Sequence, residues 1–268
     1  MGDLSVRFWG VRGSFPAPGP DFARYGGNTP CVQLEMPEGS LILDAGTGIV
    51  RLGRALSGAE PLHLFLSHLH WDHIQGLPFF APLCQESTRI RIYSAREPED
   101  VRAALRMQMR HPVFPVAFDE LDARIEFVRL PAGGLSVAGA EITPIPLKHP
   151  GGASGLRIEA AGRTIVYASD HEAGDALSDS ALVDASRGAA ALIMDAQYLP
   201  EERPDWSGRG HSSWADAIEL ATAADVDRLL LFHHDPWRSD EQLDDIQARA
   251  RQRLPSAAAA AEGTVLRF

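Results

Sequence analysis

The stretch His68-Leu69-His70-Trp71-Asp72-His73 puts three imidazoles and one carboxylate within six residues. Imidazole and carboxylate together are the ligand set of zinc and other borderline first-row metals. The stretch follows the apolar run Leu62–Leu66, which reads as a strand. A turn at the end of a strand can aim successive side chains at one point. The competing account is a surface turn that happens to be rich in histidine, and the flanking sequence decides between the two.

Outward from the cluster, further residues of the same chemistry stand directly after apolar runs. Asp44 follows Leu41–Leu43, His149 follows Ile142–Leu147 and Asp170 follows Thr164–Ser169. Asp195 follows Ala191–Met194, and His233 follows Leu229–Phe232. Strand ends along one rim of a sheet are where α/β folds assemble sites. One such residue means little. Five of them beside the cluster predict a site with more ligands than one metal uses.

Other short β-like runs are Val6–Trp9, Val32–Met36, Ile90–Tyr93, Ile125–Val128, Leu156–Ile158 and Val265–Phe268. Leu41–Leu43, Leu62–Leu66 and Leu229–Phe232 are nearly all apolar, as in strands buried on both faces. Helices are expected at Ile49–Leu56, Arg102–Arg110, Ser213–Ala224 and from the capping box Ser239-Asp-Glu-Gln242 to before Pro255. Ala257–Ala261 reads as a helix tail or loop. The pattern predicts sheets packed together with helices outside, in one domain spanning residues 1–268.

The chain has 268 residues, with 25 Lys+Arg against 36 Asp+Glu and a net charge of −11. That excess of acid argues against an extended nucleic-acid surface. Only Cys31 and Cys84 are present, so a disulfide framework is excluded, and both read as small core residues. No run approaches the roughly 20 apolar residues of a membrane span, and no signal peptide is visible, so a cytoplasmic location is expected.

With these residues in hand, the sequence resembles the metallo-β-lactamase superfamily. Asp44 in Leu-Asp-Ala-Gly, the His68–His73 cluster, His149, Asp170 and His233 stand in the family's order. The resemblance implies an α/β fold, a four-layer αββα sandwich with the site at one edge of its two sheets. It implies that His68, His70 and His149 hold one divalent ion, that Asp72, His73 and His233 hold a second, and that Asp170 bridges both. Asp44 would hydrogen-bond a ligand rather than a metal. His233 is preferred to His234 because the family's last ligand directly ends its strand. Zinc is the first expectation, with manganese, iron or nickel as alternatives.

Gly210-His211-Ser212-Ser213 resembles the His-Ser-Thr motif of the superfamily's phosphodiesterase branch, which includes ribonuclease Z, with Ser213 in place of Thr. The resemblance implies that His211 assists at the scissile phosphate, oriented by Asp195. Asp72 would also accept a proton. The N-terminal loop, carrying Arg12 and Asn28, either contacts substrate or only joins two strands. No glycine-rich basic arm of the kind that grips tRNA is present, so a small anionic phosphodiester or cyclic nucleotide is the expected substrate. The alternatives are a hydrolase of lactones, thioesters or lactams, which would share every ligand, and a metal- or nucleotide-binding module that turns nothing over. Arg102, Arg106 and Arg110 read as a solvated helix face. Phe79-Phe80 reads as core, with a pocket wall or a homodimer contact as the alternatives.

Overall fold

A computed structural model describes residues 4–56 and 61–268. Its strands, in chain order, are β1 (Ser5–Gly10), β2 (Cys31–Met36), β3 (Gly39–Leu43), β4 (Leu62–Phe65), β5 (Arg89–Ser94), β6 (Arg124–Arg129) and β7 (Leu135–Val137). They continue as β8 (Ala140–Leu147), β9 (Ala153–Ala160), β10 (Arg163–Ala168), β11 (Ala191–Asp195), β12 (Leu229–Phe232), β13 (Ala257–Ala259) and β14 (Val265–Arg267). The α-helices are α1 (Gly48–Ala55), α2 (Trp71–Ile74), α3 (Pro98–Gln108), α4 (Ala176–Ser186), α5 (Arg203–Trp206), α6 (Trp214–Ala223) and α7 (Asp240–Arg253).

Two sheets form, ordered β14-β1-β2-β3-β4-β5-β6 and β13-β12-β11-β10-β9-β8-β7. Strands β3 to β6 run parallel, as do β10 to β13. The layers follow from the alternation of side chains across each strand. Leu41, Leu43 and Phe65 of the first sheet meet Ile165, Tyr167, Ile193 and Phe232 of the second in a middle core. The opposite face of the first sheet, with Ile42, Leu64 and Ile92, packs on Ile49 and Leu52 of α1 and on Val101 and Leu105 of α3. The opposite face of the second, with Val166, Leu192 and Leu231, packs on Leu182 of α4, Ile218 of α6 and Leu243 of α7. The result is the αββα sandwich. The central strands are apolar at successive positions because both of their faces are covered.

Helix starts follow the sequence signals. Ser239 and Gln242 form the expected reciprocal cap of α7, and Ser213 and Asp216 form the same device at α6. Three expectations need correction. Ala257–Ala259 is neither helix tail nor loop but strand β13, paired in parallel with β12. Small side chains fit beside α7, and the register of the sheet overrides alanine's helical preference. Cys31 is buried, but Cys84 is exposed at the end of a short 3₁₀ turn. Phe80 is core, whereas Phe79 is 61% exposed.

Candidate metal centre

The parallel strands deliver their carboxyl ends to one rim. Strand β8 is antiparallel to β9, which is antiparallel to β10, so β8 also points there. Asp44 leaves β3, Ser67 and His68 leave β4, His149 leaves β8, Asp170 leaves β10 and His233 leaves β12. Asp44 and His233 both adopt the left-handed backbone, with φ of 60° and 56°. This uncommon conformation for non-glycine residues turns the chain sharply at each strand end.

The expected ligands converge. His149 Nε2 lies 2.9 Å from His70 Nδ1. Asp170 sits between two groups of imidazoles. Its Oδ2 is 3.7 Å from His68 Nε2 and 3.6 Å from His149 Nε2. Its Oδ1 is 3.1 Å from His73 Nε2 and 3.4 Å from His233 Nε2. Asp72 Oδ2 adds contacts of 3.4 Å to His73 Nε2 and 3.2 Å to His233 Nε2. Two ligands each about 2.0–2.2 Å from one tetrahedral ion stand roughly 3.3–3.6 Å apart, and the contacts of this cluster, from 2.9 to 3.7 Å, bracket that spacing.

The polar atoms themselves test the fit to a metal. His73 Nδ1–H donates to Asp44 Oδ2 at 2.8 Å, which leaves an Nε2 lone pair facing the oxygens of Asp170 and Asp72. Two lone pairs at that distance repel unless a cation or a proton lies between them. His68 Nε2 and His73 Nε2 are buried without a hydrogen-bond partner. Burial, with His73 next to it, pushes His68 well below its ordinary pKa, so it is a neutral imidazole. Burial also opposes charge on His73, but Asp170, Asp72 and Asp44 outweigh it and hold its pKa well above the usual value. The site therefore favours positive charge between its side chains, and neutral nitrogen with carboxylate oxygen suits a divalent ion of the zinc type.

Several of the ligand candidates are oriented from behind. The fully buried Asp44 accepts from Ser67 N and Ser67 Oγ as well as from His73, and from Tyr167 Oη, each at 2.8 Å. His149 Nδ1–H donates to Gly210 O at 2.9 Å, and His233 Nδ1–H donates to Gln197 Oε1 at 3.0 Å. Such partners fix the tautomer and the ring angle. Two glycines allow the rings to approach backbone. A Cβ on Gly13 would lie 2.4 Å from the His233 ring, and one on Gly210 (φ 89°) 2.3 Å from His149 Nδ1.

Beside the cluster, His211 Nδ1–H donates to Asp195 Oδ2 at 2.7 Å. Asp195 is fully buried and also accepts from Gln197 N and Ser212 N. The His211 ring stacks on His233 at 4.9 Å and 19° and lies 5.3 Å from the His149 ring. Burial alone would lower its pKa, but Asp195 outweighs it and raises the group to about 9.

The N-terminal loop reaches the cluster through its backbone. Ser14 N–H donates to Asp72 Oδ2 at 2.8 Å. Arg12, for which the sequence leaves both a substrate contact and a purely structural role open, is fully buried and bonded to the carbonyls of Gly26, Asp235 and Arg238, so it joins segments of the fold. Asn28 likewise is tied to Glu262 through its backbone and its amide. His234 points away from the cluster, donating from Nε2 to Ala260 O, and burial beside Arg12 depresses it to about 3. Sequence reasoning missed Ser67, Tyr167, Gln197 and Ser14. Ser67 and Gln197 adjoin predicted site residues, so proximity was their only signal. Tyr167 carried one further signal, since alternation along β10 faces it toward the middle layer.

A family model described as a β-lactamase superfamily domain matches residues 40–234, which carry every ligand candidate. The chain belongs to the metallo-β-lactamase superfamily. It is 31% identical over 217 residues to the uncharacterized protein ML1173 of Mycobacterium leprae, covering 76% of this chain and 70% of that one. It is 24% identical over 284 aligned positions to ribonuclease BN of Escherichia coli K12, covering 87% and 91%. Among solved structures, the metallo-β-lactamase-fold protein YhfI of Bacillus subtilis superposes with a TM-score of 0.76 at 19% identity over 100% of both chains. A diphosphatase of the PhnP family superposes with a TM-score of 0.72 at 19% identity, over 99% and 98%. The fold is thus that of a superfamily composed mostly of metal-dependent hydrolases, phosphodiesterases and ribonucleases among them. No helix of the described residues is long and apolar enough to cross a membrane.

Proposed function

We propose that this protein is a metal-dependent phosphodiesterase acting on a small anionic phosphodiester, a cyclic nucleotide being one form. The observation that carries the reading is the His211–Asp195 pair, set with its ring stacked on a ligand candidate. A cationic imidazole would help any leaving alkoxide, but a phosphodiester is also anionic before reaction, so it alone gains from positive charge both in binding and as its leaving oxygen departs.

In this reading His68, His70 and His149 would hold one divalent ion and Asp72, His73 and His233 another, with Asp170 placed to serve both. The ions would acidify a bound water and polarise the phosphoryl group. Asp72 is fixed by Ser14 N–H and accepts the proton of the attacking water on its free oxygen. Asp195 holds the Nδ1 proton of His211, so Nε2–H is the atom left to face the substrate. With its pKa raised to about 9, His211 carries that proton at neutral pH and delivers it to the leaving alkoxide. A net charge of −11 suits a small anion drawn to a local cationic centre better than a long polyanion. Ribonuclease BN, a phosphodiester-cleaving relative by its name, supports the reaction class.

The test combines metal analysis with a panel of bis(p-nitrophenyl) phosphate, cyclic nucleotides, lactones and thioesters. Turnover of phosphodiesters, lost on chelation, is expected. Turnover confined to lactones or thioesters, with His211→Ala at full rate, would overturn the assignment.

A further inference from the structure

Two exposed rings, Phe15 and Trp237, stand within a few residues of groups of the centre and touch each other. Phe15 follows directly on Ser14, whose N–H holds Asp72. Its ring packs edge-on against Trp237 at 5.2 Å and 71°. Phe15 is 36% exposed and Trp237 77% exposed. Trp237 stands in the turn between β12 and α7, four residues past the ligand candidate His233, and its N–H is pinned to Asp235 Oδ1. The next turn in Arg238 ties to Glu202 by two hydrogen bonds of 3.0 and 2.8 Å. That link brings up the segment where Trp206, 43% exposed, stacks on Tyr198 at 5.9 Å. Tyr198 in turn meets His211 edge-on at 5.8 Å. From the Asp72 side and from the His211 side, aromatic surface therefore extends outward from the reacting groups.

A single exposed ring is ordinary, but exposed rings in contact with one another form the kind of contiguous apolar surface that marks a binding site. Rings with short tethers, such as these, offer broad rigid faces at little entropic cost. Their position beside the groups that would handle phosphate calls for an occupant that joins a phosphate to a flat ring.

We infer that the Phe15–Trp237 pair is a stacking platform for the nucleobase of a nucleotide phosphodiester, making this chain selective for nucleotides over phosphodiesters without a base. The inference rests on the phosphodiester reading above and narrows its substrate class. Base stacking tolerates any base, because every base has a π face, so the platform selects for a nucleobase without choosing which.

The experiment compares two esters with one leaving group, thymidine 5′-p-nitrophenyl phosphate and methyl p-nitrophenyl phosphate, on the metal-loaded chain. The wild type is expected to prefer the nucleoside ester in kcat/KM. Trp237→Leu should cut that preference by about tenfold, the scale of one base–aromatic stack, and Trp237→Phe should restore most of it. Calorimetry of thymidine 5′-monophosphate against inorganic phosphate should show the same ordering of binding without turnover. If the wild type hydrolyses both esters with equal kcat/KM, or Trp237→Leu leaves the preference unchanged, the platform is wrong while the phosphodiesterase reading stands. If Trp237→Leu instead abolishes self-association and spares the preference, the rings serve a second copy and the inference falls. If neither ester is hydrolysed, both readings fall.

Discussion

The two halves of the centre are built differently. The half from the first sheet is one turn: His68, His70, Asp72 and His73 come from a single strand end and the short helix α2, and one carboxylate, Asp44, braces both Ser67 and His73 from behind. The half from the second sheet is an assembly. His149, Asp170 and His233 follow β8, β10 and β12, Asp195 ends β11 and His211 precedes α6; His149, Asp170 and His233 are held by Gly210, Ser169 and Gln197, and Asp195 and His211 hold each other. The first half concentrates its dependence on one buried residue. The second spreads it over the register of the sheet.

That contrast can be broken at its junction. Among the described residues, Asp170 is the side chain whose two oxygens face both groups of imidazoles. Asp170→Ala should lose bound metal and activity together, read by metal analysis and phosphodiester assay, and is the largest effect expected. Retention of two ions per chain by this variant would show that the halves stand independently. His211→Ala tests the second half alone. It should keep its metal and lose about 10²–10⁴-fold in turnover, the usual scale of general acid help.

Next come the braces. Asp44→Asn leaves its volume but removes a charge and an acceptor beside His73, and metal affinity should fall by about 10–100-fold in a chelator competition. Gln197→Ala removes the partner of one imidazole, His233, together with a long 3.5 Å bond to Ser14 Oγ, so its loss should be smaller than that of Asp44→Asn. An equal loss would mean that the second half is no more distributed than the first.

The smallest effect separates the neighbours His233 and His234. Burial beside Arg12 holds His234 at about 3, below its ordinary 6.5. The unfolded chain therefore binds a proton at this site that the folded chain refuses. The folded state keeps its full stability from this group above about pH 6.5 and loses it as pH falls toward 3. His234→Gln, which can still donate to the Ala260 carbonyl, should flatten the decline of Tm over that window and leave Tm at pH 7.5 nearly unchanged. An unaltered slope would show that His234 is not the group responsible.

Legibility followed the same division. The cluster was visible because spacing of one and two residues carries its own geometry once a strand precedes it. The ligand candidates of the second sheet were visible only as polar residues ending apolar runs, and their joint meaning came from the family's order. Arg12 and Asn28 could not be decided because a cation and an amide in a Gly-rich loop look alike whether they face substrate or backbone. Their partners, Asp235, Arg238 and Glu262, lie more than 200 residues away. Ala257–Ala259 misled because alanine has no strong β preference, and only the open edge of β12 makes it a strand.

By itself the sequence determined the ligand chemistry, the buried strands and the capped helices α6 and α7, since all of these depend on residue type and local period. Tertiary structure alone decided which oxygen of Asp170 faces which imidazoles, that His234 turns away while His233 turns in, and that Phe15 meets Trp237 beside the centre. These are relations between segments far apart in the chain. They come from the way parallel strands of two sheets bring their ends to one rim, and no local pattern encodes that.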